Sequence, residues 1–324
     1  MNVIPINMKN ILVLVGLTCL LAGCMNSYNG ELIFVEPESD EGFHYPYYLF
    51  IPDGSGHNQA SFLVIEPNNS GFVDDDLQKH IDKAERTATN DFYLGSYVAQ
   101  NLKYPLLVPI FPRQRSNWEV YTHALDRDVM MQQGNSLERI DLQLIEMFED
   151  ARQKLKEKEI LTKDQFLLTG FSASGSFANR FTLIHPDKVF AVAAGGINGL
   201  LMFPLDSLQG KNLKFPLGTY DFKELLTNDF QAEAFKQTPQ FYFMGAKDEN
   251  DAIPYDDAYN DEEREIIYHL IGKEMLPARW EYSRDIYNNH DIEAILKTYV
   301  NTGHEQTEQI KEDVTVFFKT LINQ

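Results

Sequence analysis

The chain has 324 residues, 44% hydrophobic and 23% charged, which is ordinary globular material and enough for a sizeable core in one large domain or two small ones. Its formal charge is −20, and no basic patch interleaved with aromatics offsets that, so no nucleic-acid partner is expected. The only cysteines are Cys19 and Cys24, which excludes a disulfide framework, a cysteine metal site and a cysteine nucleophile anywhere after them.

In chain order, the first element is an apolar run from Ile11 to Leu21 behind Lys9, broken only by Gly16, Thr18 and Cys19. It is short for a membrane span and has the shape of a signal peptide. The residues that follow, Leu21-Ala22-Gly23-Cys24 and then polar Asn26 to Gly30, resemble the lipobox of bacterial lipoproteins. That resemblance implies cleavage before Cys24, acylation of its thiol and anchoring to a cell membrane, with the protein facing outside the cytoplasm. The expected organisation is a lipoprotein signal peptide (1–23), a tether after the lipidated Cys (24–40) and a single domain (41–324).

Beyond the tether, short apolar runs alternate with longer helical patterns. Tyr47–Ile51, Phe62–Ile65 and Leu106–Phe111 read as strands, the last apolar throughout as a strand buried on both faces would be. Leu137, Ile140, Leu144, Phe148, Ala151 and Leu155 recur at helical spacing, with Asn135 and Glu138 placed for a capping box. Next come a strand at Gln165–Thr169, a helix from Ala173 to Ile184, and strands at Val189–Ala194, Gln240–Met244 and Ala294–Val300. A last amphipathic helix spans Glu305 to Leu321. This alternation predicts an α/β fold, a mostly parallel central sheet with helices on both faces. Leu200–Lys236 and the helical segment Asp261–Asn289 read as excursions, the second placed as a small cap, where Tyr268, Trp280, Tyr282 and Tyr287 suit an apolar substrate group.

The residues that carry chemistry begin at Gly170-Phe-Ser172-Ala-Ser174-Gly175, where a buried strand runs into a helix. This resembles the G-x-S-x-G nucleophile elbow of the α/β-hydrolase superfamily. Small neighbours are needed because the serine sits in a strained turn. The chain departs from the pattern by carrying Ser174 where the second glycine belongs, with Gly175 one residue later. The superfamily orders its triad Ser, acid, His. After the strand ending at Met244, Gly245-Ala-Lys-Asp248-Glu-Asn-Asp251-Ala-Ile-Pro254 offers Asp248 as the acid, with Asp251 as the alternate. His304, in a Gly-His pair between the last strand and the last helix, is the base that the resemblance implies. The oxyanion hole is expected from the N–H of Ala173 and a donor in the loop after Ile65, Asn69 or Asn68.

The segment after Leu106–Phe111 supplies Arg113, Tyr121 and His123 as candidates for shaping a substrate pocket. Asp126, Arg127 and Asp128 read as a structural ion-pair cluster. Asp74–Asp76 and Asp256–Asp257 lack calcium-loop spacing and read as solvated carboxylates, so no metal is expected. The resemblance implies hydrolysis of a small-molecule or envelope-borne carboxylic ester through an acyl-enzyme on Ser172, with no cofactor. A serine peptidase of the same fold, or a binding lipoprotein that keeps the fold without activity, is the alternative.

Overall fold

The computed structural model describes residues 28–56, 59–68, 72–226 and 229–324. The expected signal peptide, Cys24 and Asn69 lie outside the described residues. The strands are β1 (Gly30–Val35), β2 (Tyr47–Pro52), β3 (Ser61–Ile65), β4 (Leu106–Pro109), β5 (Thr162–Phe171), β6 (Val189–Gly195), β7 (Ser207–Leu208), β8 (Lys211–Asn212), β9 (Gln240–Gly245) and β10 (Ala294–Tyr299). Eight of them form one sheet in the order β1-β2-β4-β3-β5-β6-β9-β10, while β7 and β8 pair as a small hairpin. The β1–β2 and β2–β4 pairings are antiparallel and the other pairings in the sheet are parallel.

The helices are α1 (Leu77–Thr89), α2 (Leu94–Leu102), α3 (Arg127–Met130), α4 (Ile140–Glu157), α5 (Ala173–Ile184), α6 (Phe222–Leu226), α7 (Ala232–Gln237), α8 (Asp261–Ile266), α9 (Trp280–Asn289) and α10 (Glu308–Ile322). The apolar runs of the strands feed two cores, because alternate side chains leave opposite faces of the sheet. Leu49, Leu63, Leu107, Phe166 and Leu168 join α4, α5 and α9 on one face. Phe50, Val64, Leu106, Val108 and Leu167 join α1, α2 and α10 on the other. The arrangement is thus the expected mostly parallel sheet covered on both sides. Among the described residues no helix is long and apolar enough to cross a membrane.

Three local expectations are corrected. Residues 30–35, assigned to the tether, form β1 and pair with β2 along its whole length. The helix expected from Leu137 begins at Ile140, and Arg139, with φ 46°, occupies its N-cap. Asn135 Oδ1 instead accepts from the Leu137 N–H, and Glu138 accepts from the Gly134 N–H, so the two stabilise the preceding turn. Helix α1 carries no apolar stripe in the sequence, because the side that packs inward is made of small or polar residues, Ala84, Ala88, His80 and Thr87.

In the acidic runs Asp75, Asp76 and Asp256 are exposed as expected, whereas Asp74 is buried and Asp257 half-buried. Asp74 binds Lys79 at 2.7 Å, Asp75 accepts from the Ser116 N–H and hydroxyl, and Asp76 caps α1. Asp257 pairs with Arg113 and Asp256 with Arg264. Nor do Asp126, Arg127 and Asp128 pair among themselves. Asp126 caps α3 through the Val129 N–H, and Arg127 reaches Asp221 at 2.7 Å.

Candidate active site

Strand β5 delivers the chain to Ser172 at the carboxyl end of the sheet, where open α/β folds hold their ligands. Ser172 has φ 61° and ψ −123°, a conformation that costs a non-glycine residue about 1–3 kcal/mol and persists only where the surroundings impose it. Three contacts impose it. The Ser172 N–H donates to Gly195 O at the end of β6 (2.9 Å). A Cβ on Gly170 would stand 2.2 Å from Ser174 O, so only glycine fits there. Ser174, the departure from the motif, is fully buried. Its hydroxyl accepts from the Phe171 N–H (2.9 Å) and lies 3.0 Å from Phe171 O, fastening the turn to itself. The close helix–strand approach falls one residue later, at Gly175, where a Cβ would stand 2.5 Å from Gly195 O. The second glycine of the pattern is therefore displaced by one position, and a serine cross-link occupies its usual place.

The loops after β9 and β10 meet beside this turn. Lys247 N–H donates to Thr302 O (2.9 Å), tying one loop to the other. Asp248, 5% exposed, accepts from the Asn250 N–H with Oδ1 and meets His304 Nδ1 with Oδ2 at 2.9 Å. That contact fixes Nδ1–H toward the carboxylate and leaves Nε2 as the acceptor facing outward. The side-chain amide of Asn250 donates to Nε2 at 3.2 Å. The imidazole lies over the Phe171 ring with centroids 4.7 Å apart. Asp251 is engaged elsewhere. Its Oδ2 stands 2.6 Å from the guanidinium of Arg279, which is fully buried.

A narrow cleft of about 40 Å³ opens over the turn, and Ser172, Ala173, Ser176, Arg180, Asn198, Asn250, Tyr121 and Tyr259 stand on its walls. The N–H of Ala173 opens α5, at the positive end of the helix dipole, where it is free of an intrahelical acceptor. Asn68 is buried at 2% exposure and turns its amide N–H to His80 O (3.2 Å), leaving its Oδ1 without a partner. Ahead of it, the fully buried Glu66 accepts from the Gly95 N–H, and burial pushes its carboxyl up to about 7. This carboxyl fixes the base of the Pro67–Asn68 loop.

Of the candidates for the pocket, Tyr121 lies on the cleft wall, while Arg113 and His123 point into the body of the protein. Arg113 stacks on the Tyr121 ring at 3.4 Å and binds Asp257 (2.5 Å), thereby holding Tyr121 from behind. His123 meets Phe111 O through Nε2 at 2.9 Å. The cap aromatics do not reach the cleft either. Trp280 and Tyr287 are buried in the core, and Tyr287 donates to Met202 O (3.0 Å). The aromatic residues on the cleft wall are instead Tyr121 and Tyr259, which stand among the polar side chains of Ser176, Arg180, Asn198 and Asn250. Sequence reasoning missed Asn198, Asn250 and Tyr259, which arrive from distant loops. It also missed Ser176 and Arg180, although their spacing of four and eight residues from Ser172 is that of one helix face.

A larger groove of about 1000 Å³ lies at the opposite, amino end of the parallel strands, lined by Ser61, Phe62, Lys163 and Phe190. It brings together no nucleophile and base. Among the described residues no group of His, Cys, Asp and Glu is placed to hold a metal ion.

No protein-family model matches the sequence, and no curated protein matches it either. Solved structures do. The chain is similar to poly(aspartic acid) hydrolase-1 from Sphingomonas sp. KT-1, with 15% identity, TM-score 0.59, and 89% of this chain and 98% of that one covered. It is similar to LpqC, a poly(3-hydroxybutyrate) depolymerase from Bordetella parapertussis, with 17% identity, TM-score 0.55 and coverage of 90% and 91%. An S-formylglutathione hydrolase from Agrobacterium tumefaciens matches at 11% identity, TM-score 0.51 and coverage of 92% and 96%. Identities this low speak to the fold alone, and with the strand order and the strained serine turn they converge: the chain has the α/β-hydrolase fold.

Proposed function

We propose that the protein is a serine hydrolase that cleaves carboxylic esters through an acyl-enzyme on Ser172. The observation that carries this is a strained serine on the cleft wall with an Asp248–His304 pair set beside its turn, the imidazole Nε2 being bonded to Asn250, which stands on the same wall. In the proposed reaction Asn250 gives up its bond to Nε2 as substrate enters. Ser172 Oγ attacks the ester carbonyl while His304 Nε2 takes its proton, and Asp248 holds the imidazole in the productive tautomer and stabilises the imidazolium. The tetrahedral oxyanion is met by the Ala173 N–H and by a donor from the loop that contains Asn68 and Asn69. His304 returns the proton to the departing alcohol, and water repeats the sequence to release the acid. The names of the similar structures, two hydrolases and a depolymerase, support this assignment.

The test is a fluorophosphonate probe on the purified protein. Labelling at Ser172, lost in Ser172→Ala, together with turnover of short acyl esters, is the expected result. A folded protein that is neither labelled nor active on esters would overturn the proposal.

The same proposal places the enzyme on a membrane, outside the cytoplasm, through a lipid on Cys24. Five residues separate Cys24 from β1, so six extended residue steps would hold the domain within at most about 22 Å of the anchor. Incorporation of labelled palmitate that disappears in Cys24→Ala is the expected result, and a label that persists in the variant refutes the anchor.

A further inference from the structure

Among the described residues three arginines are buried to 5% exposure or less: Arg113, Arg180 and Arg279. Two have carboxylate partners, Asp257 for Arg113 and Asp251 for Arg279. Arg180 differs. Its guanidinium donates to Ala124 O and to the Tyr259 hydroxyl, both at 2.9 Å, and both acceptors are neutral. No described carboxylate stands within ion-pairing distance of it. A buried cation without a counter-ion is costly unless something supplies the charge. Arg180 is also the one of the three that stands on the wall of the candidate active site.

Its position relative to Ser172 follows from helix geometry. Ser172 at the N-cap of α5, Ser176 in its first turn and Arg180 two turns on are spaced by four residues, share one face and all line the same cleft. Eight residues correspond to about 12 Å along the axis, and helical side chains lean toward the N-terminus, so the arginine reaches back toward the serine. The remaining gap is that of a chain of a few atoms. Two buried carboxyls feel the arginine's field, Asp126 and Glu263. Burial raises both, Asp126 to about 8, which weakens their power to neutralise Arg180, and neither forms an ion pair with it. The net charge of −20 repels anions at long range, but salt screens it beyond about 8–10 Å, which leaves local recognition intact.

We propose that Arg180 is a specificity-determining residue that binds a carboxylate of the substrate, and that the enzyme prefers esters carrying an anionic carboxylate a few atoms from the scissile bond. This rests on the assignment of Ser172 as nucleophile. The substrate class is then half-esters of dicarboxylic acids or acyl esters of hydroxy acids, and the guanidinium supplies a charge-assisted bond beside the reacting carbonyl.

The test uses the full chain in detergent and two matched pairs: monomethyl adipate against methyl hexanoate, and 4-acetoxybutyrate against butyl acetate. The wild type is expected to favour the charged member of at least one pair by roughly tenfold to a hundredfold in kcat/KM. Arg180→Gln should bring that ratio close to one, mainly through KM, and Arg180→Lys should restore part of it. Adipate binding measured by calorimetry on the wild type reads the arginine without a variant and without turnover. Equal kcat/KM for charged and neutral esters, a ratio unchanged in Arg180→Gln, or no binding of adipate would overturn the proposal. Failure of the nucleophile assignment is read separately, as absence of fluorophosphonate labelling.

Discussion

Replacing Gly175 by alanine tests whether the displaced glycine holds Ser172, the proposed nucleophile, in place. The added Cβ would stand 2.5 Å from Gly195 O and 2.8 Å from Ile197 Cγ2, where ordinary contact begins near 3.4 Å. Helix α5 must therefore retreat from β6 by about 0.9 Å, the difference between those two distances. All twelve residues of α5 are buried, so the retreat cannot be absorbed at a free surface, and overpacking of this kind costs about 1–3 kcal/mol. For a domain of this size that corresponds to a fall in Tm of roughly 2–5 °C. Gly195 O is also the acceptor for the Ser172 N–H, so the strain reaches Ser172 directly. A misplacement of about 1 Å can lower the rate on the order of 100-fold. Thermal unfolding and the rate of fluorophosphonate labelling measure the two effects together. Ser174→Ala is the companion variant, because it leaves the Phe171 N–H and C=O without their partner and should cost about 1–3 kcal/mol by a different route. If Gly175→Ala unfolds within about 1 °C of the wild type and labels at the same rate, the close approach is not what positions Ser172.

Three further variants separate roles that lie close together in space. Asp248→Asn should lower kcat on the order of 10³–10⁴-fold with little change in stability, because the imidazole loses its orienting carboxylate; Asp251→Asn should instead cost about 3 kcal/mol of stability by leaving buried Arg279 uncompensated. The reverse pattern in denaturant melts and ester kinetics would exchange the two assignments. Asn250→Ala frees Nε2 of His304 and should speed labelling of Ser172 severalfold, whereas slower labelling would mean that the amide helps to orient the imidazole. Glu66→Gln bears on pH. Burial raises the Glu66 carboxyl from 4.5 to about 7 in the folded protein, so between those values the unfolded chain sheds a proton that the native state keeps. Wild-type stability contributed by this group is intact below about pH 4.5 and is lost as pH rises through 7. The loss approaches about 3 kcal/mol, and the variant should escape it. Denaturant midpoints at pH 4.5 and pH 8 check this: an equal gap between wild type and variant at both pH values would show that Glu66 is not held protonated.

Much of this protein was legible in its sequence, for a physical reason. Strands buried on both faces must be apolar throughout, so β3, β4, β5, β6 and β9 announce themselves as runs. The turn at Ser172 requires small neighbours that local sequence must supply. The order of Ser172, Asp248 and His304 follows from where the sheet ends its strands, and the structure brings Asp248 to His304 at 2.9 Å. Other features depend on which segments meet across long separations. Local sequence favours Asp248 but keeps Asp251 as an alternate, and only the fold shows that Arg279, arriving from the segment before α9, claims Asp251. Arg113 and His123 sit in a segment that passes beside the cleft, yet their side chains face away from it. The aromatics of the expected cap are drawn into the core because α9 packs directly on the sheet. The unpaired charge of Arg180 is likewise a tertiary fact. An arginine's lack of a partner cannot be read from its neighbours in the chain, because the carboxylates that might have paired with it are brought near or kept away only by folding.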